Sequence, residues 1–283
     1  MRVGFIGLGR MGFPMANHIA AAGHDLLVYD VSEDARVRAA DAGLSVSSGL
    51  ADFADVDVLG TSLPATEHVE TVFLGDSGLA SVLSAGTVCA DMSTISIAGS
   101  RSISEHCASA GIFFLDAPVS GTSIHAEAAS LVVMVGGVGD AVETARPVLE
   151  TFASEVAHVG ASGTGLELKL ITNRLLTTHL VAIAEAIVSI EKTELSVTQC
   201  IDLLRAGAVP RLLDYKAMPL AERDFSPMFT VDLMRKDLRL AADELAPVQL
   251  AAAAHEIVEA TSDLGLGDDD LAALITIVEQ RSV

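Results

Sequence analysis

Tryptophan is absent from this chain and aromatics reach only 4% of it, while hydrophobic residues make up 51%. A core must therefore be built from Ala, Val, Leu and Ile in helices and buried strands, the palette of an α/β protein. Cysteine is scarce: Cys89, Cys107 and Cys200 are widely spaced and form no CxxC pair. That excludes a disulfide framework or a zinc site set by spacing, implies no metal, and points to a reducing cytoplasm. Lysine is scarcer for its class, with four residues (Lys169, Lys192, Lys216 and Lys236), and Lys plus Arg total 17 against 38 Asp plus Glu. The net charge of −21 argues against nucleic-acid binding, which needs clustered cations. It also constrains any anionic ligand, which must be met by local cations or backbone N–H donors. Long apolar runs are missing too. The most apolar window, "LLTTHLVAIAEAIVSI", carries His179 and Glu185 and falls short of the roughly 20 residues a span requires, so no membrane segment is expected. Arg2 and the early "AAAG" superficially suggest a signal peptide, but glycines interrupt the apolar stretch.

What is present has a regular alternation. "RVGFIGLG" is a short apolar run ending in glycines, and "MGFPMANHIAAAG" follows with helical spacing and a glycine stop. "HDLLVYD", "VDVLGTSL", "GTVCADMS", "IFFLDAPV", "LVVMVGG" and "EVAHVG" read as further strands, with helical segments such as "SEDARVRAADAG" and "ISIAGSRSISEHCASAG" between them. Strands alternating with helices predict parallel βαβ units, and runs apolar on both faces predict a sheet covered on both sides.

Within this frame lies Gly7-Leu8-Gly9-Arg10-Met11-Gly12. GxGxxG alone is a weak signal, but here it follows a strand, opens a helix and precedes a second strand ending in Asp30. Gly7 permits the tight turn, Gly9 lets the backbone approach a pyrophosphate, and Gly12 lets helix and strand pack closely, with helix N–H groups facing the anion. A carboxylate at Asp30 accepts the ribose hydroxyls of NAD and repels the extra phosphate of NADP. NAD is therefore expected over NADP, with Arg10 and Arg36 the nearby cations able to alter that preference.

After "HVGASGTG" the strand signals stop and the remainder is helical in pattern. The expected division is a Rossmann domain over 1–162 and an all-helical substrate and oligomerisation domain over 163–283, with "DDD" at 268–270 an acidic helix start. Lys169 falls in the apolar helical run "GLELKLITNR", one turn before Asn173 on the same face. Such a lysine commonly snorkels at a surface. Ligands of dinucleotide domains, however, bind at the carboxyl ends of the strands, and a second domain beside that edge would bring Lys169 to the nicotinamide end.

Together these residues resemble the β-hydroxyacid dehydrogenase family over essentially the whole chain. Four separated motifs carry the resemblance: "GFIGLGRMGFPMANHIAAAGHDLLVYD", "DAPVSG" from Asp116 to Gly121, "GTGLELKLITN" from Gly163 to Asn173, and "FTVDLMRKDLRLA" around Lys236. Shorter matches, "SLPAT" and "DMSTIS", imply cofactor contacts at Leu63, Pro64 and Thr94. The resemblance implies a Rossmann domain joined by a long interdomain helix to a helical domain, in dimers or tetramers. It implies that Ser120, Gly121 and Thr122 bind the acid group of a small carboxylate, that Lys169 is the catalytic lysine with Asn173 its amide partner, and that Lys236 lies near substrate and cofactor. The chemistry agrees. Oxidising an alcohol requires removal of the hydroxyl proton, a lysine bonded to that oxygen can accept it, and partial burial lowers a lysine's pKa toward that task.

The chain departs from the family at several places. Thr122 and Ser123 stand where a second glycine is common, Thr172 replaces a second asparagine before Asn173, and Ala129 and Ser130 replace a glycine before "LVVMVGG". Gly121 stands where members acting on sulfolactaldehyde carry Arg, which argues against a sulfonate substrate. Ser120 as a plain turn residue, Thr94 as a helix cap, and Lys236 as an exposed helix partner are the blander readings, and His18, His125 and His179 read as structural. The expectation is an oxidoreductase moving a hydride between NAD and a short 3-hydroxy acid or its semialdehyde. An imine reductase on the same fold and a non-catalytic dinucleotide-binding module are the alternatives.

Overall fold

The computed structural model describes residues 1–206, 212–246 and 248–281; residues 207–211, 247 and 282–283 of the expected helical domain lie outside the described residues. The chain forms two compact units, Met1–Lys169 and Leu170–Val283, so the contact boundary falls one turn into the helix that follows the glycine break.

The first unit holds a nine-stranded sheet: β1 (Arg2–Ile6), β2 (Asp25–Tyr29), β3 (Ser45–Val46), β4 (Val58–Thr61), β5 (Val88–Asp91), β6 (Phe113–Asp116), β7 (Val119–Ser120), β8 (Leu131–Gly136) and β9 (Ala153–Gly160). Its helices are α1 (Gly12–Ala21), α2 (Glu33–Asp41), α3 (Thr66–Leu74), α4 (Leu79–Val82), α5 (Ile97–Ser109), α6 (Ser123–Glu127) and α7 (Gly139–Leu149). Strands β3-β2-β1-β4-β5-β6 are parallel, in the doubly wound order of a dinucleotide-binding sheet. Every residue of β4 and β5 is buried, as helices on both faces demand. Val3, Phe5, Val28 and Val58 share one apolar cluster with Met15, Ala16 and Ile19 of α1, each large side chain contributing roughly 1.5–3 kcal/mol.

Beyond β6 the parallel expectation fails. β8 runs antiparallel to both β6 and β7, and only β9 returns parallel to β8. The reason is the connection: β7 and the five-residue α6 cannot make the full crossover that a parallel strand requires, whereas the 11-residue α7 can.

The second unit is helical. α8 (Thr164–Glu191) enters it and is followed by α9 (Val197–Ala206), α10 (Leu212–Glu222), α11 (Val231–Glu244), α12 (Gln249–Thr261) and α13 (Ile275–Arg281). By length and composition α8 could cross a membrane, yet Leu180, Ile183, Ala184 and Ile187 pack in one cluster with Leu220, Met234, Leu238 and Val258. It is the core helix of this unit.

A buried ion pair crosses that core. Lys216 of α10 contacts Asp270, their side chains 4% and 1% exposed. Asp270 also accepts from the N–H groups of Met228 (2.8 Å), Phe229 (3.1 Å) and Ala272 (3.0 Å), so the last acid of "DDD" does start a helix, as the N-cap of the short 3-10 turn Leu271–Leu274, and is a buried hub as well. Burial lowers the pKa of Lys216, with Asp270 opposing it. Lys216→Met should cost about 3–5 kcal/mol in chemical denaturation, because it strands a buried charge; a loss below about 1 kcal/mol would show that the pair does not hold the unit.

Candidate active site

The residues singled out in the first unit lie at the carboxyl ends of adjacent strands. Along the sheet, Asp30 follows β2, the glycine turn follows β1, Leu63 and Pro64 follow β4, Thr94 follows β5, and Ser120–Thr122 follow β6. From β2 to β6 this edge spans about 19 Å at roughly 4.8 Å per strand, enough for an extended dinucleotide.

The glycine turn fits a pyrophosphate. Gly7 has φ +96°, and a Cβ there would meet the Ser62 carbonyl oxygen at 2.2 Å; one on Gly12 would meet the Gly7 carbonyl oxygen at 1.8 Å. A Cβ on Gly9 would meet nothing within 4 Å, so the backbone there faces open space. Met11 is the N-cap of α1 and offers no side-chain cap, which leaves the first turn of the helix suited to an anion. Asp30 accepts from Leu8 N (2.6 Å) and Ser32 N (2.8 Å), tying its carboxylate to the turn. Arg36 donates to the carbonyls of Asp30 (2.7 Å) and Val31 (3.0 Å). Arg38, which the sequence reading passed over, donates to the Leu8 carbonyl and stacks 4.8 Å from the centre of the Phe13 ring.

A row of buried polar residues closes the ends of the central strands. Thr61, Asp91 and Asp116 end β4, β5 and β6 and are direct register partners. Asp91 accepts from the Thr61 hydroxyl (2.7 Å) and the Ser93 hydroxyl (2.5 Å), and Ser93 Oγ accepts from Leu63 N (2.8 Å). Asp116 accepts from Gly163 N (2.7 Å) and Leu166 N (3.0 Å), the backbone donors that open α8. Burial holds its pKa above the usual carboxylate range, opposed by the Gly163 and Leu166 N–H groups. Lys169 lies three residues beyond Leu166 and is 7% exposed, which removes the snorkelling alternative. Neither Asp91 nor Asp116 carried a role in the sequence reading; the signal was the acid ending each strand of "DMSTIS" and "DAPVSG".

The Ser120–Thr122 loop is formed by glycine geometry. Gly121 has φ +137°, and a Cβ there would meet Leu131 at 2.8 Å and His125 at 2.9 Å. Thr122 N donates to His125 Nδ1 at 3.1 Å, in a capping box that starts α6. His125 thus occupies an N–H that the resemblance assigned to substrate. Ser96, not Thr94, caps α5, accepting from Gly99 N at 2.9 Å. Ala129 adopts φ +51°, so the left-handed turn is retained although Ala replaces glycine.

In the helical unit Asn173 is 3% exposed and donates to Asp237 Oδ2 at 2.6 Å. The Lys236 ammonium lies 3.0 Å from Asp237 Oδ1. The pair is an ion pair on a buried carboxylate oxygen. Asp237 thereby gathers Asn173 and Lys236, a role the sequence reading did not assign to it.

Residues 2–160 match the pattern of the NAD binding domain of 6-phosphogluconate dehydrogenase, and residues 163–278 that of the NAD-binding domain of NADP-dependent 3-hydroxyisobutyrate dehydrogenase. The chain is 34% identical to 2-(hydroxymethyl)glutarate dehydrogenase of Eubacterium barkeri, over 100% of this chain and 96% of that one. It is 36% identical to the NAD-dependent L-serine dehydrogenase of Pseudomonas aeruginosa, covering 86% and 84%. Among solved structures, 3-hydroxyisobutyrate dehydrogenase of Mycobacterium tuberculosis with L-serine superposes with a TM-score of 0.87 at 34% identity, covering 98% and 99%. An imine reductase from a Pseudomonas species, at 17% identity and a TM-score of 0.61, shares the fold alone.

The left-handed Ala129 makes a direct prediction. Ala129→Gly should stabilise the protein by roughly 1 kcal/mol, since an L-residue is disfavoured by about that amount there; unchanged or lowered stability in denaturation would contradict it.

Proposed function

Because the chain belongs to the β-hydroxyacid dehydrogenase family, we propose that Lys169 is the general acid/base of a hydride transfer between NAD and a short 3-hydroxy acid or its semialdehyde. The observation that carries this is a buried lysine on a helix whose first turn is bonded to the strand end leading into the Ser120–Thr122 loop. A lysine at this position also argues against the imine-reductase reading and the non-catalytic one.

The glycine turn and the start of α1 would hold the pyrophosphate, and Asp30 the ribose hydroxyls, with Leu63, Pro64 and Thr94 along the nicotinamide half. Asp30 favours NAD over NADP by repulsion of the extra phosphate, and the guanidinium groups of Arg36 and Arg38 are engaged on main-chain carbonyls. The two-electron chemistry is what a bound nicotinamide supplies, by exchange of a hydride with the carbinol carbon. Lys169 Nζ takes the hydroxyl proton in oxidation and returns it in reduction. Ser120, Gly121 and Thr122 would hold the acid group with uncharged donors, the Thr122 N–H being the one already given to His125 Nδ1. This answers the field of a chain at −21 without adding surface cations. Asn173 and Lys236, gathered around Asp237, are proposed as polar groups directed at the substrate.

Self-association is part of the proposal. Leu168, Ile171 and Leu175 recur at three and four residues along α8 and are 38%, 52% and 56% exposed, an apolar stripe suited to a dimer or tetramer interface. The three free thiols support a reducing cytoplasm.

Nicotinamide absorbance, followed with NAD and NADP over 3-hydroxyisobutyrate, serine, glycerate and 3-hydroxypropionate, tests the assignment. Wild type should prefer NAD, Lys169→Ala should lose on the order of 10²–10⁴-fold in rate while still binding NADH, and Asp30→Ala should narrow the NAD preference. Wild-type turnover by Lys169→Ala would refute the role given to it.

A further inference from the structure

Asp91 is 1% exposed and takes no part in the chemistry assigned above. Its Oδ1 accepts from the hydroxyls of Thr61 and Ser93 and from Ser93 N at 3.2 Å. A carboxylate only accepts. The Ser93 hydroxyl must therefore point its proton at Asp91 and turn a lone pair toward Leu63 N, which donates to it at 2.8 Å. The acid thus sets the polarity of a chain of hydrogen bonds that runs from β5 into the turn after β4. That turn and the segment after β5 that carries Ser93 are the strand-end turns on which the dinucleotide would rest.

We propose that Asp91 is a positioning residue for the cofactor: acting through the Ser93 hydroxyl, it fixes the Leu63 N–H and the two turns that would support the nicotinamide half. The proposal rests on the reading that a dinucleotide lies across this sheet edge.

Keeping the acid there is costly. Burial raises its pKa to about 6, with Ser93 and Thr61 opposing and Asp116 adding to the rise. Its titratable neighbours are Asp116 across β6 and the Cys89 thiol, whose pKa burial raises well above the ordinary value, with Cys107 nearby. α7, which packs against β5, buries only Ala141, Val142, Ala145, Val148 and Leu149. Because the folded pKa lies above the unfolded one, the contribution of Asp91 to stability is fully present below about pH 4 and is lost as pH rises through 6. At neutral pH an ionised Asp91 serves geometry at the expense of stability.

Calorimetric titration of the full chain with NADH, from pH 5 to 8, tests this on wild type, Asp91→Asn and Ser93→Ala. Both variants should bind on the order of tenfold more weakly at pH 7.5, with the KM for NAD rising more than kcat falls. Wild-type affinity should drop below about pH 6, while Asp91→Asn shows no such drop and unfolds no earlier than wild type at pH 7.5. Wild-type affinity in both variants, or an Asp91→Asn variant that unfolds earlier yet binds normally, would reduce Asp91 to a structural residue. If wild type itself fails to bind NADH, the cofactor reading falls and this proposal falls with it.

Discussion

The interaction on which the proposed chemistry depends is the one between the Asp116 carboxylate and the Gly163 and Leu166 N–H groups. The first turn of a helix leaves its N–H groups without partners, and a carboxylate is favoured there by the helix dipole. Here the carboxylate comes from the end of β6, so the helix that carries Lys169 is attached to the strand that leads into the Ser120–Thr122 loop. Close packing enforces the attachment: a Cβ on Gly165 would meet the Met134 carbonyl oxygen at 2.3 Å and the Asp116 side chain at 2.9 Å. One carboxylate therefore ties the proposed proton acceptor to the proposed acid-group site within the first unit.

Asp116 is also the last of a row. Thr61, Asp91 and Asp116 stand in register at the ends of three parallel strands; Thr61 bonds to Asp91, Asp91 connects its strand through Ser93 to the turn after β4, and Asp116 connects its strand to α8. The chemistry proposed here needs a rigid edge, because an acceptor displaced by an ångström loses much of its effect. It also needs an anion site in a chain at −21, and in the proposed reading main-chain N–H groups would provide one without surface lysines.

Much of this was legible in the sequence where the signal is local. The glycine turn, Asp30, the alternation of parallel strands and helices up to β6, α8 and the place of Lys169 on it all follow from short-range patterns of apolar and glycine residues. What could not be read lies far apart in the chain. Asp116 bonds residues 47 and 50 positions away, and Lys216 meets Asp270 across 54 positions; no periodicity encodes such pairs. The reversal at β8 was hidden because β7 is two residues long. The structural reading of His125 holds, but its particular partner could not be read, because the Thr122 N–H is a backbone group with no letter of its own.

The most direct test of the account is Asp116→Ala, with NADH affinity and kcat measured on the same preparation. The account predicts that NADH binds with near wild-type affinity, because the glycine turn and Asp30 are untouched, while kcat falls at least tenfold as the start of α8 loosens. Wild-type kcat in a variant that has lost both hydrogen bonds would show that the anchor does not set the position of Lys169, and the central claim would fail.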